Sequence, residues 1–127
     1  MSCVDKEMSK KTENLVNNTP ELFKLMPWPR EFEKDTFLKP DFTSLQVLAF
    51  GSSGTPLGIN IPNYDDIRQE IGFKNVYLAN AMPKIIKSNI LFLEESDADL
   101  LTKFSAPAMF FKVSYHELLG HGCGKLF

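Results

Sequence analysis

Two histidines occur in the 127-residue chain, His116 and His121. Both lie in Val113-Ser114-Tyr115-His116-Glu117-Leu118-Leu119-Gly120-His121-Gly122-Cys123-Gly124-Lys125-Leu126-Phe127, with Glu117 beside the first. Imidazole nitrogens bind a borderline-soft divalent ion such as zinc, and a carboxylate next to that ion can take a proton from water. The spacing departs from the usual zinc-peptidase pattern, His-Glu-x-x-His on a helix. Here one more residue intervenes, giving His-Glu-x-x-x-His. Four residues of α-helix return to within about 40° of the starting face, whereas five land about 140° round the axis. Two readings follow. Either His116 and His121 are ordinary helix-end residues and Glu117 a solvated acid, or the helix absorbs the extra residue in a one-turn π-bulge, a rare device found mostly at functional sites. Gly120, lacking a Cβ, is well placed to permit such a bulge.

Cys123 stands close enough to His121 to raise a thiolate ligand. Structural zinc sites use several cysteines at short spacings, and here Cys3 lies at the other end of the chain, so Cys123 reads as a bystander. Two separated cysteines also make no disulfide framework, which suits reduced thiols in the cytosol. The balance of 14 Lys+Arg against 16 Asp+Glu offers no electrostatic case for nucleic acid or an anionic membrane. No apolar run approaches the ~20 residues of a membrane span, and Met-Ser-Cys-Val-Asp-Lys-Glu at the N-terminus holds no apolar signal core.

The elements that must position these groups are legible in outline. Residues 5–18 read as a weak surface helix. Thr19-Pro20-Glu21 reads as a helix restart with a hydroxyl cap, ended at Pro27. Residues 27–40, with three prolines and interleaved aromatics, read as an extended connector. Leu45 to Phe50 is an apolar run of strand length. Gly51 to Gly58 is a turn without the phosphate-loop pattern. Ile59 and Ile61 alternate with Asn60 as in a half-buried strand, and Pro62 marks an edge or a strand end. Such an edge could pair with a peptide backbone, and Asn60 and Asn63 could bind a peptide amine or amide; equally, both asparagines could satisfy a local turn. Asp65 to Ile71 reads as a short helix with Asp66, Arg68 and Glu70 exposed, stopped at Gly72. Phe73 to Leu78 reads as a strand, and Ala79 to Ser88 as a turn or short helix. Ser96-Asp97-Ala98-Asp99 resembles a capping box opening a helix that buries Leu100, Leu101 and Phe104. A last helix, starting near Pro107 and apolar on most sides, runs into the His-Glu segment.

His-Glu-Leu-Leu-Gly-His-Gly-x-Gly-Lys-Leu-Phe resembles the zinc motif of the dipeptidyl peptidase III family, which is defined by this one-residue insertion. The likeness extends to Pro27-Trp28-Pro29, Phe32-Glu33-Lys34-Asp35, Pro40-Asp41-Phe42-Thr43-Ser44 and Gly58-Ile59-Asn60-Ile61-Pro62-Asn63-Tyr64-Asp65-Asp66. It continues through Gly72-Phe73-Lys74-Asn75-Val76 and Phe92-Leu93-Glu94-Glu95, so that it covers about Leu22 to Phe127.

The resemblance implies a cytosolic zinc exopeptidase, monomeric when complete, that removes dipeptides from the N-termini of short oligopeptides. It implies an α+β chain in which part of a β-barrel-containing lobe precedes the start of a helical zinc lobe. The corresponding division is residues 1–26 helical, 27–80 strand-rich and peptide-binding, and 81–127 helical. By position, His116 and His121 match the zinc ligands and Glu117 the catalytic base. Gly58, Asn60 and Asn63 match a barrel-edge segment that holds a peptide as an added strand. The family's third zinc ligand, a glutamate, belongs further along its chain than Phe127. The expectation is therefore an internal piece of a larger enzyme; the alternative is a truncated, inactive product with at most weak metal or peptide binding.

Overall fold

A computed structural model describes residues 1–125; Leu126 and Phe127, quoted above with the motif, lie outside the described residues. The chain begins with β1 (Ser2–Val4), α1 (Lys6–Asn17) and α2 (Thr19–Phe23). Asp5 starts α1: its carboxylate accepts the Met8 N–H at 3.0 Å, satisfying one of the amides left free at a helix start. The expected restart is present but displaced by one residue. Asn18 is the cap, while Thr19 is already helical, fully buried, and donates its hydroxyl to Leu15 O. The proline-rich connector contains one 3₁₀ turn (Arg30–Phe32) and is tied down by its rings, with Phe37 edge-on to Phe23 and to Phe73.

Next come β2 (Asp41–Val47), β3 (Gly58–Ile61), α3 (Asp65–Glu70) and β4 (Lys74–Leu78). The four strands form one open sheet in the order β1-β2-β4-β3. β2 and β4 are parallel, and β1 and β3 add antiparallel on the two outer sides. The strand expected at Leu45–Phe50 thus lies earlier. Pairing with β4 starts at Asp41↔Lys74, and the alternation that matters buries Phe42 and Ser44. Leu48 and Phe50, part of the apolar run, remain exposed beyond the paired stretch. α1 is bolted to β2 by polar groups: the Thr12 hydroxyl donates to Phe42 O at 2.7 Å, and Ser9 Oγ accepts the Ser44 N–H at 2.9 Å.

The structure refines three sequence expectations. β3 turns its polar side inward, against the usual sense of an apolar alternation: Asn60 is 5% exposed and Ile61 48%. The reason is its neighbour, a polar backbone turn described below rather than an apolar wall. The two helices expected around Ser96 and Pro107 are one, α4 (Glu95–Tyr115), with Pro107 inside it and Glu94 as its cap. Proline in a helix interior costs one hydrogen bond and a clash with the preceding turn, so sequence alone favours a new start there. The residues α4 buries are Ala98, Phe110, Val113 and Ser114, whereas Leu100 and Phe104 are exposed. Of the turn or short helix expected over Ala79 to Ser88, the turn is present at its start, and its last two residues enter a 3₁₀ turn (Lys87–Asn89).

The core sits between the sheet and the end of α4. Val16, Phe42, Tyr77, Phe110, Val113, Leu118 and Leu119 form its buried cluster, with Tyr77 edge-on to Phe110 at 5.3 Å. Leu118 is completely buried, a contribution of about 1.5–3 kcal/mol for a leucine side chain. It anchors the segment that carries both histidines. No helix among the described residues is long and apolar enough to cross a membrane.

Candidate active site

At Tyr115 the α-helix ends and residues His116–Gly120 form one turn of π-helix. His121 N–H donates to His116 O, five residues back, at 3.1 Å. The extra residue is absorbed as the spacing requires. Leu118 and Leu119 enter the core beneath this turn, which leaves His116 and His121 on its outer side. The two imidazoles face each other edge-on with ring centroids 4.9 Å apart. An α-helical spacing would have separated them; the bulge brings them together.

Gly120 is not the glycine that makes this possible. A Cβ there would meet its nearest atom, His116 Nδ1, at 3.9 Å, an ordinary contact. Gly122 is the constrained position: a Cβ would run into the Leu118 carbonyl oxygen and come within 2.5 Å of the Phe73 ring. Gly58 is the other, where a Cβ would lie 2.5 Å from Glu117 Oε1 and 2.8 Å from Val113 Cγ1. β3 therefore passes directly under the Glu117 carboxylate. Behind it, Asn60 Nδ2 donates to Asn75 Oδ1 at 2.6 Å and reaches Glu117 O at 3.5 Å. Asn63, beyond the end of β3, is exposed.

Glu117 is buried, and the loss of water pushes its carboxyl pKa up, opposed in part by the charge of His116. Its Oε2 lies 4.0 Å from His121 Nε2. That contact is no ion pair at neutral pH, because burial, followed by His116 and Arg68, pushes the His121 pKa down. Neutral imidazole is the form that ligates a metal. Arg68 also donates through Nη2 to the His121 carbonyl oxygen. It was expected to be exposed on α3; instead it is half-buried and clamps the second histidine from 53 residues away. Nothing local in the sequence signals that contact. The same is true of Asn75 and Phe73, which meet the site only through the fold. Cys123 keeps its thiol, its pKa raised mainly by burial, and donates to Leu119 O at 2.5 Å.

The donor set fits part of a metal centre. Two imidazoles converge with an acid beside them, but the described residues contain no group of three or more His, Cys, Asp or Glu placed to hold one ion. Catalytic zinc ordinarily takes three protein ligands. Below His116 and Glu117, an open cleft of about 530 Å³ is lined also by Leu57, Gly58, Lys112, Val113 and Tyr115. Converging imidazoles, a desolvated carboxylate and an open cleft are the features of a metal-assisted hydrolase.

The comparisons agree with that class. The sequence model of Peptidase family M49 matches residues 1–127, and the chain belongs to this family. It is 56% identical over 128 residues to "Dipeptidyl peptidase 3" of Nematostella vectensis and 53% identical over 130 residues to the Homo sapiens protein of that name. The Dictyostelium discoideum relative is 49% identical over 127 residues. Each match covers all of this chain and 18% of the relative.

Proposed function

We propose that these residues carry part of the catalytic centre of a zinc-dependent dipeptidyl peptidase, an enzyme that releases dipeptides from the N-termini of short oligopeptides. The observation that carries the reading is the shared cleft: Gly58, where the edge strand β3 begins, and the His116–Glu117 pair line one opening. An extended peptide laid along β3 as an added strand would present its carbonyls to Glu117 and the imidazoles. His116 and His121 would hold the zinc, with a further ligand from outside the described residues. When bound, the ion supplies a Lewis acid that polarises carbonyls and acidifies water.

Glu117 does the proton work. Its carboxylate accepts a proton from water entering the cleft and returns it to the leaving nitrogen, a role helped by the raised pKa of a desolvated acid. The β3 segment Gly58–Ile61 and the exposed carboxamide of Asn63 bound the peptide track; Asn63 is suited to the free amine whose position sets a cut after two residues. On this reading residues 27–80 form the peptide-binding portion, a piece of a barrel-containing lobe, and 81–127 the helical zinc-binding portion of a cytoplasmic enzyme.

A second reading rests on the two-ligand donor set: the chain alone binds metal or peptide weakly and turns nothing over. The chain spans about 18% of the length of the curated relatives it matches. The test therefore replaces the matching stretch of the Nematostella vectensis relative with these 127 residues. Dipeptide release from a chromogenic dipeptidyl substrate is expected, and E117Q should lower kcat about 10²–10⁴-fold while zinc content is kept. H116A and H121A should each remove the zinc. Turnover that survives E117Q, or zinc retained by both histidine variants, would overturn the proposal.

A further inference from the structure

The inner face of β3 has a second relation to the site, separate from any peptide on its outer edge. Gly58 and Asn60 are two apart and so point to the same side of the strand. That side meets the π-turn. The Glu117 carboxylate fills the space a side chain at Gly58 would occupy, with Oε1 2.5 Å and Cδ 2.9 Å from the missing Cβ position. Its other oxygen faces His121. Val113, one helical turn earlier on α4, closes the third side, 2.8 Å from the same position. One step along the strand, Asn60 reaches the carbonyl of Glu117 itself. Asn60 is in turn held by Asn75, its partner across the ladder.

The Asn60–Asn75 pair is costly as mere packing. Asn60 Oδ1 and Asn75 Nδ2 are buried with no hydrogen-bond partner among the described residues, and a buried polar atom left unpaired costs about 1–3 kcal/mol. Two apolar side chains would fill the same volume without that cost. What they could not do is grip a backbone carbonyl of the catalytic turn. We infer that Gly58 and Asn60 are positioning residues for Glu117: the bare Cα of Gly58 is the seat of the carboxylate, and the Asn60–Asn75 pair holds the backbone from which it projects. The catalytic part of this inference rests on the proposed peptidase reading; the contact itself does not.

A misplacement of about 1 Å at a reacting group can cost 10²-fold in rate. In the Nematostella chimera, G58A is expected to lower kcat about 10²-fold, with zinc affinity within threefold of the parent. N60A, which opens space rather than causing a clash, should lower kcat about tenfold with zinc affinity kept, and it serves if G58A does not fold. E117D should cost at least tenfold alone but less than threefold on top of G58A, because both changes displace the same carboxylate. In the 127-residue chain, a nuclear Overhauser contact between the Gly58 Hα and Glu117 Hγ protons is expected, and its absence would overturn the seat. A G58A variant that folds and keeps the kcat of the parent would do so too, since the carboxylate would then not depend on the bare Cα. So would fully additive losses in the E117D cycle. An inactive parental chimera counts against the peptidase reading, and the proton contact then decides the seat on its own.

Discussion

The two glycines that flank His121 make opposite predictions. At Gly122 an added methyl group would meet the Leu118 carbonyl oxygen and the Phe73 ring, at 2.5 Å from Cζ. Neither obstacle is the free end of a flexible side chain. One is backbone of the π-turn and the other is a buried ring 5% exposed. Overpacking a tight site costs typically 1–3 kcal/mol, and with backbone in the way about 3 kcal/mol is expected for G122A. In a domain of this size that is a fall in Tm of roughly 10 °C. At Gly120 the methyl group would sit 3.9 Å from its nearest neighbour on an exposed helical position. There the main effect is the lost backbone freedom of the unfolded chain, so G120A should stabilise by about 0.4–1 kcal/mol. Urea unfolding followed by circular dichroism measures both variants on the same chain. G122A within 0.5 kcal/mol of the parent, or G120A destabilising by more than 1 kcal/mol, would refute the steric argument and return the bulge to Gly120.

Two further outcomes follow from single contacts. R68A removes the donor on the His121 carbonyl and should weaken zinc binding about tenfold, as loss of a group that orients a ligand typically does; competition against a chromophoric chelator reads it, and an unchanged affinity would show that the clamp is idle. Asp5 has its pKa held low, first by the Met8 N–H and then by the Gln46 amide at 2.6 Å. A depressed folded pKa means that the unfolded chain binds the proton more readily, so this cap's stabilisation is complete above the unfolded value of about 3.9 and is lost as pH falls through the lower folded value. D5A should therefore cost about 1 kcal/mol at pH 7, and the gap between variant and parent should close between pH 5 and pH 2. A gap independent of pH would exclude the carboxylate as its source.

The candidate site was readable in the chain because its residues are local. His116, Glu117 and His121 lie within one turn of each other, and the five-residue interval admits only a bulge if both imidazoles are to share an ion. Most elements were also readable, since caps, prolines and glycines act on their immediate neighbours: α1 after Asp5, α3 before Gly72, β4 after Phe73. Gly72 has φ +120°, a conformation in which only glycine is unstrained.

What the tertiary structure decided is everything that depends on a partner distant in sequence. Whether Asn60 or Ile61 faces inward is set by what lies opposite β3, and that is the π-turn from the far end of α4. Periodicity reports that a strand has two faces but not which one meets a polar surface. Pro107 reads as a boundary from its neighbours alone, yet α4 runs through it. Arg68 on its six-residue helix has no local mark to distinguish it from a solvated cation until α3 is packed beside His121. The candidate site residues are near neighbours in the sequence; their burial, orientation and support come from strands and helices that only folding brings within reach.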